Sequence, residues 1–390
     1  MLAIFLIVLS HVIQTLHAPE SGGGKWDYVL HLERATSDIR LLLLAILRSS
    51  GAFGNTVFFA CSAWFLLDSG GVNRKKILQM LLDIWVVSVI ILAAVYLLRG
   101  GDVGMKLLVR QLLPTTFSNN WYLTCYLLFY PLHPFLNEMI RGMKQKTLLR
   151  TILVMSLIIL INYFNDDHIF TSFLVLWIML YFIIGYMKLY LTEAADNIRL
   201  NLALFLAGLL GSCGMVLLTD LIALRTGALG DRLLFWNSNY SPFFILMALS
   251  LLNLARNIRF ESRVINYVSG LSLLIYIIHD NQLFRVYYRP ALWEWVYRNL
   301  GFDRVLVWTF ALSGMIFLFG MLAAVIYRNT VQRLVCLLVD KAYPKLCVKY
   351  RRLEGKLTRE RRELPEFPPF KNDKVMEEHH ENKEGIHKRK

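Results

Sequence analysis

Stretches of apolar residues long enough to cross a bilayer recur along this chain from its first residue to its basic C-terminal tail. About 17–25 helical residues span the roughly 30 Å hydrocarbon layer. Such stretches occupy 1–17, 48–67, 77–98, 121–140, 148–164, 169–188, 201–221, 241–256, 265–284 and 304–327. The chain is 56% hydrophobic, above the roughly 45–50% of a soluble domain. The stretches are rich in Leu, Ile and Val and lack period-two alternation, which argues against an outer-membrane barrel. The expected fold is an all-α polytopic bundle of about ten spans with a basic cytoplasmic tail. Residues 1–330 form the membrane domain. Residues 331–364 read as a basic amphipathic helix, and 365–390 as a disordered charged end.

The net charge is +14, much of it in the tail. In a chain of this hydropathy it is a topology signal before it is a nucleic-acid signal, and no nucleic-acid partner is expected. Arg74, Lys75 and Lys76, then Arg141, Lys144, Lys146 and Arg150, then Arg256, Arg259 and Arg263, fall on the same side as the tail. That side is read as cytoplasmic, with both termini inside a plasma membrane. The outer loops are then 18–47, 99–120, 222–240 and 285–303, rich in Trp, Tyr, Asn and Arg. The first stretch has no basic leader and no small-residue cleavage site, so it is expected to stay as a span. Cys61, Cys125, Cys213, Cys336 and Cys347 occur singly, without metal-ligand spacing, and read as packing residues.

Two histidines stand inside apolar stretches. His11 closes LAIFLIVLSH, about 15 Å along a helix, and His279 closes SLLIYIIH, roughly 21 Å along its own. An ionisable group at that depth is costly and points to function. Imidazole is the side chain suited to moving a proton near neutral pH. Asp280 and Asn281 follow His279. Adjacent positions on a helix diverge by about 100°, so Asp280 is expected to serve a partner on another helix, such as His11. A lone helix histidine can equally be bonded glue between helices, and His17, His31, His133 and His168 read as incidental. The sequence contains no GxSxG, HExxH or glycine-rich phosphate loop. Direct attack by a histidine-activated acceptor therefore suits the chain better than a covalent serine intermediate.

Four segments resemble the membrane-bound acyltransferase-3 family, which acylates sugars and other cell-surface acceptors. LAIFLIVLSH resembles the first-span motif ending in that family's catalytic histidine. NTVFFACSAWFLLDS resembles the second-span pattern, with Ala63 in place of a glycine. NWYLTCYLLFYPLHPFLN resembles the fourth-span pattern, and SGLSLLIYIIHDN the ninth. The likeness runs through residues 1–330. The family's arginine ahead of the histidine would fall just before Met1, so the chain looks clipped at its start.

The resemblance implies an O-acyltransferase, most often acetyl, with acetyl-CoA or another acyl-CoA as donor and no metal. It implies His11 as general base, assisted by His279 and Asp280. Arg74, Lys75 and Lys76 would meet the coenzyme phosphates. Trp121, Tyr126 and Asn281 would contact a saccharide acceptor, within an outer aromatic and arginine-rich surface that also includes Tyr122, Tyr287, Tyr288, Arg289, Trp293 and Trp295. The alternatives are a transporter or flippase of a lipid-linked saccharide, for which an internal repeat is expected and none is evident, and a membrane scaffold.

Overall fold

The computed structural model describes residues 1–19, 26–28, 32, 34–164, 173–258 and 261–361. It is an all-α polytopic bundle, with one short ribbon of two antiparallel strands, β1 (His17–Pro19) and β2 (Trp26–Tyr28), paired His17 to Tyr28. The chain divides into two units, Met1–Cys336 and Leu337–Lys390. The second unit, where described, is the rest of the last helix. It carries Lys341, Lys345, Lys349, Arg351 and Arg352 beside exposed Leu337, Leu338, Leu346 and Val348. The end expected to be disordered, 365–390, lies outside the described residues, as do His31 and His168.

In order, the helices are α1 (Leu2–Ile13), α2 (Ile39–Arg48), α3 (Ser50–Leu66), α4 (Arg74–Leu98), α5 (Met105–Leu112), α6 (Trp121–Phe129), α7 (His133–Gly142) and α8 (Gln145–Phe164). They continue as α9 (Phe173–Tyr190), α10 (Thr192–Asp196), α11 (Ile198–Thr226), α12 (Pro242–Asn257), α13 (Arg263–Ser269), α14 (Ser272–His279), α15 (Arg289–Leu300), α16 (Val305–Asn329) and α17 (Val331–Arg361).

Among the described residues, six stretches are long and apolar enough to cross a membrane, against the ten expected. They are Ile39–Leu66, Arg74–Leu98, Phe173–Tyr190, Ile198–Thr226, Gly230–Asn257 and Val305–Asn329. Three of the other four expected spans depart for physical reasons. α1 stops after 12 residues. The fourth, 148–164, is a continuous apolar helix, α8, whose side chains at 162 and 163 lie outside the described residues. The stretch 265–284 breaks at Gly270–Leu271 between α13 and α14.

The stretch 121–140 breaks at its prolines. Pro134 has no N–H to give the carbonyl four residues back, that of Tyr130. His133 takes its place, with Nδ1 2.5 Å from that carbonyl. His133 is fully buried, so its part is to satisfy the broken backbone. Interrupted helices at membrane depth are tolerated where they are buried in protein or line a cavity, and both histidine-bearing helices are of this kind.

Close helix approach organises the bundle. Gly51 and Gly54 put one face of α3 directly against α1. A Cβ on Gly54 would lie 2.7 Å from the Ala3 carbonyl oxygen, and one on Gly51 would strike the Ser10 side chain. The contact is sealed by Ser50 Oγ donating to the Leu6 carbonyl at 2.9 Å and Ser10 Oγ donating to the Arg48 carbonyl. Small residues and hydroxyl bonds of this kind replace the hydrophobic effect, which is weak between helices in lipid.

The core beyond is aromatic: Trp177 stacks on Phe59 with centroids 4.6 Å apart. Tyr181 donates to Asn137 Oδ1 at 2.6 Å. Asp83, buried in α4, accepts from Tyr327 at 2.9 Å and Gln332 at 2.8 Å, which offsets part of its desolvation.

The α1–α3 crossing has a direct test. Gly54→Val drives its added carbons against the Ala3 carbonyl oxygen and the Ile7 side chain and is expected to cost at least about 1–3 kcal/mol. Gly70→Ala, whose added Cβ meets nothing within 4 Å, should leave thermal unfolding in detergent unchanged. Equal midpoints for the two variants would refute the packing.

Candidate active site

α1 and α14 both end where their histidines lie, and the way those ends are satisfied builds the site. The last carbonyls of a helix have no partner within it. In α1, Ser10 O accepts from the Gln14 N–H at 2.9 Å and Ile13 O from the Leu16 N–H at 3.1 Å. Val12 O accepts from the indole N–H of Trp293 at 2.9 Å. His11 O accepts from Thr15 Oγ1 at 3.3 Å and from Arg289 Nη1 at 3.4 Å. The other terminal nitrogen of the same guanidinium, Nη2, donates to the carbonyl of His279, the last residue of α14. Arg289 thus clasps the negative ends of two helices at once. A cation there opposes both helix dipoles and satisfies carbonyls that lipid could not. It is only 3% exposed, and Asp280 Oδ1 lies 3.5 Å from Nη2.

The clasp brings the two imidazoles edge to edge, with centroids 5.3 Å apart and planes 24° from parallel. Their hydrogen-bond partners fix the tautomers. His279 Nδ1 lies 2.8 Å from the Ile275 carbonyl. A carbonyl only accepts, so this nitrogen carries the proton and His279 Nε2 is bare. His11 Nδ1 lies 3.2 Å from that bare nitrogen and therefore donates to it. His11 Nε2 is left unprotonated. Asp280 Oδ1 sits 3.1 Å from His11 Nδ1, a contact that becomes an ion pair only when His11 is doubly protonated. The chain leaves the helix at Asp280, whose backbone (φ −94°, ψ 14°) is that of a helix end. The divergence of adjacent helical positions does not apply there, and Asp280 meets His11 across the gap.

His11 is 13% exposed, and what it faces is a polar cleft of about 280 Å³. Ser10, Gln14, Arg48, Asn55, Trp121 and Asn237 are among the side chains that line it. Asn237 is 5% exposed, and neither end of its amide has a partner; Asn55 Oδ1 is likewise unpaired. Buried amides left unbonded are rare and costly. An amide offers both a donor and an acceptor, which matches a polyhydroxylic ligand.

The residues expected at the site separate into groups. His11, His279 and Asp280 are brought together, and Trp121 lines the cleft with His11. Asn281 stands behind them: its Nδ2 donates to Gln111 Oε1 at 3.0 Å and its Oδ1 accepts from the Leu283 N–H at 3.0 Å. Tyr126 faces Tyr130, ring centroids 5.9 Å apart, away from the cleft lining. Arg74, Lys75 and Lys76 form the exposed first turn of α4, capped by Asn73 Oδ1, which accepts from the Lys76 N–H at 3.0 Å. They do not line the cleft.

The expected outer aromatic and arginine surface is divided as well. Arg289 and Trp293 point inward and are spent on helix ends. Trp295 is 59% exposed, and Tyr287 carries the Arg99 guanidinium over its ring at 4.0 Å. Asn55, Arg48 and Asn237 did not stand out in the sequence.

The donor atoms of His11, His279 and Asp280 lie within 4.8 Å of one another, a spacing that a metal ion could use. The same His11 Nδ1 already meets His279, and Arg289 already sets a cation beside Asp280. A metal would compete with the proton for these atoms.

Removing the clasp should be expensive. Arg289→Met leaves Asp280 buried without its counter-charge and is expected to cost about 3–5 kcal/mol. Adding Asp280→Asn should restore part of that loss in thermal unfolding. A double variant no more stable than the single one would contradict the charge pairing.

A profile of the acyltransferase-3 family, described as an acyltransferase domain, matches residues 1–328. No curated protein and no solved structure gives a significant match. The match covers every element that builds the cleft and the histidine pair, and the chain belongs to the membrane-bound acyltransferase-3 family.

Proposed function

We propose that this membrane acyltransferase moves an acyl group, acetyl in the simplest case, from acyl-coenzyme A to a hydroxyl of a saccharide. The observation that carries this reading is the bare Nε2 of His11 beside a cleft with unpaired amides. The acceptor hydroxyl gives its proton to Nε2 as its oxygen attacks the thioester carbonyl. The tetrahedral species collapses, the C–S bond breaks, and the departing thiolate takes the proton back from the imidazolium. The products are an ester and free coenzyme thiol, with His11 neutral again. The imidazolium formed midway shares its charge through Nδ1–H with His279 and faces Asp280, as a positioned base requires.

The distribution of Lys and Arg supports both termini on the cytoplasmic side of a plasma membrane. α4 then begins at the cytoplasm, where the cationic side chains of Arg74, Lys75 and Lys76 suit the coenzyme phosphates. The cleft, built partly from the loop at 234–239, opens toward the outer side. There Trp121, Asn237 and Asn55 contact the acceptor, while Asn281 holds the histidine pair from behind and Tyr126 stands away from the acceptor.

His11→Ala is expected to leave the protein folded and to lower transfer by about 10²–10⁴. Asn237→Ala should raise KM for the acceptor more than it lowers kcat. Both are read from loss of the acetyl-CoA thioester in purified protein. Turnover of His11→Ala at the wild-type rate would remove the proposal.

A further inference from the structure

α16, long and apolar enough to cross the membrane, ends at Asn329, and α17 begins at Val331. Thr330 between them leaves helical geometry, at φ −114° and ψ −84°. α17 therefore starts close to where a span leaves the hydrocarbon. Its first turns are anchored: Gln332 Nε2 donates to Asp83 Oδ2 at 2.8 Å, and Gln79 Nε2 to Cys336 Sγ at 3.2 Å.

At 3.6 residues per turn, Leu337, Leu338, Lys341, Lys345, Lys349 and Arg352 all fall within about 60° of the line through Leu334. Leu334, Leu337 and Leu338 are 61%, 57% and 62% exposed, and the four cations are exposed as well. None of those cations has an acidic partner among the described residues. Asp340, the single acidic residue of 331–352, lies about 120° from Leu334. Pro344 removes one N–H from the run without ending the helix. The order along the stripe is leucines first, next to the end of the span, and then cations. A bilayer has the same order, hydrocarbon and then phosphate.

We infer that α17 docks on anionic phospholipid, with its leucines on the acyl chains and Lys341, Lys345, Lys349 and Arg352 on the lipid phosphates. Long Lys and Arg stems lie along apolar surface while their charged heads reach outward. Basic residues next to a span gain from an anionic surface, each adding to the last. A nucleic acid or an acidic peptide would engage the cations and leave the leucines in water. The inference does not depend on the chemistry at His11.

The test uses the full chain with benzoylphenylalanine incorporated at position 338, in nanodiscs of equal phosphatidylglycerol and phosphatidylcholine. Irradiation should give lipid adducts on α17 peptides, with phosphatidylglycerol favoured by at least about fivefold. Lys341→Gln, Lys345→Gln, Lys349→Gln and Arg352→Gln combined should bring that ratio close to one, with thermal unfolding as the folding control. Raising salt from about 0.1 M to about 1 M should lower the ratio without any variant. No lipid adducts, or a ratio near one in the chain with its native charges, overturns the docking. So does a ratio unmoved by both salt and the combined variant. Loss of the lipid adducts on adding one equivalent of an RNA oligonucleotide would assign the stripe to nucleic acid instead.

Discussion

Arg289 holds the ends of two helices that lipid could not satisfy. Its guanidinium serves the carbonyls of His11 and His279 and faces the Asp280 carboxylate. Every feature of the site follows from that clasp. It stops α1 and α14 at the same depth, sets the two imidazoles in contact, and positions Asp280 beside the first of them. Trp293, on the same helix α15, adds a second grip at Val12. A buried cation is costly in isolation. Here it is matched by two helix dipoles and one carboxylate, so its desolvation is offset by groups that would otherwise be unpaired themselves.

The consequence is a directed proton path. The Ile275 carbonyl fixes the His279 tautomer, His279 fixes that of His11, and the free nitrogen of His11 is the one left for the cleft. The order is set by which atoms can only accept. The glycine face of α3 matters as well, because it brings α1 close enough for Ser10 to bond the Arg48 carbonyl at the wall of the cleft.

Much of this was legible in the sequence. Apolar stretches gave the membrane bundle, and the cost of burying imidazole singled out His11 and His279. The pairing of Asp280 with His11 was expected from the divergence of adjacent helical positions, but it arises instead because the chain leaves the helix at Asp280. The division into about ten spans was less legible, since hydropathy cannot tell a continuous helix from one interrupted around a site. Pro131 and Pro134 mark one break openly, while the end of α1 after Ile13 depends on partners far along the chain. Arg289 looked like part of an outer arginine cluster. Its role spans 278 residues to His11, and no local pattern encodes that. Asn237, in a polar loop, became notable only once its amide was seen buried and unpaired.

The central claim is that the clasp fixes which nitrogen of His11 is free. Nitrogen NMR of full-length protein labelled at histidine, with His11→Gln used for assignment, reads this directly. The account predicts a neutral His11 protonated at Nδ1 with Nε2 bare, and a mixture of tautomers in Arg289→Lys. A His11 protonated at Nε2 in the wild-type protein, or a tautomer unchanged by Arg289→Lys, would contradict it.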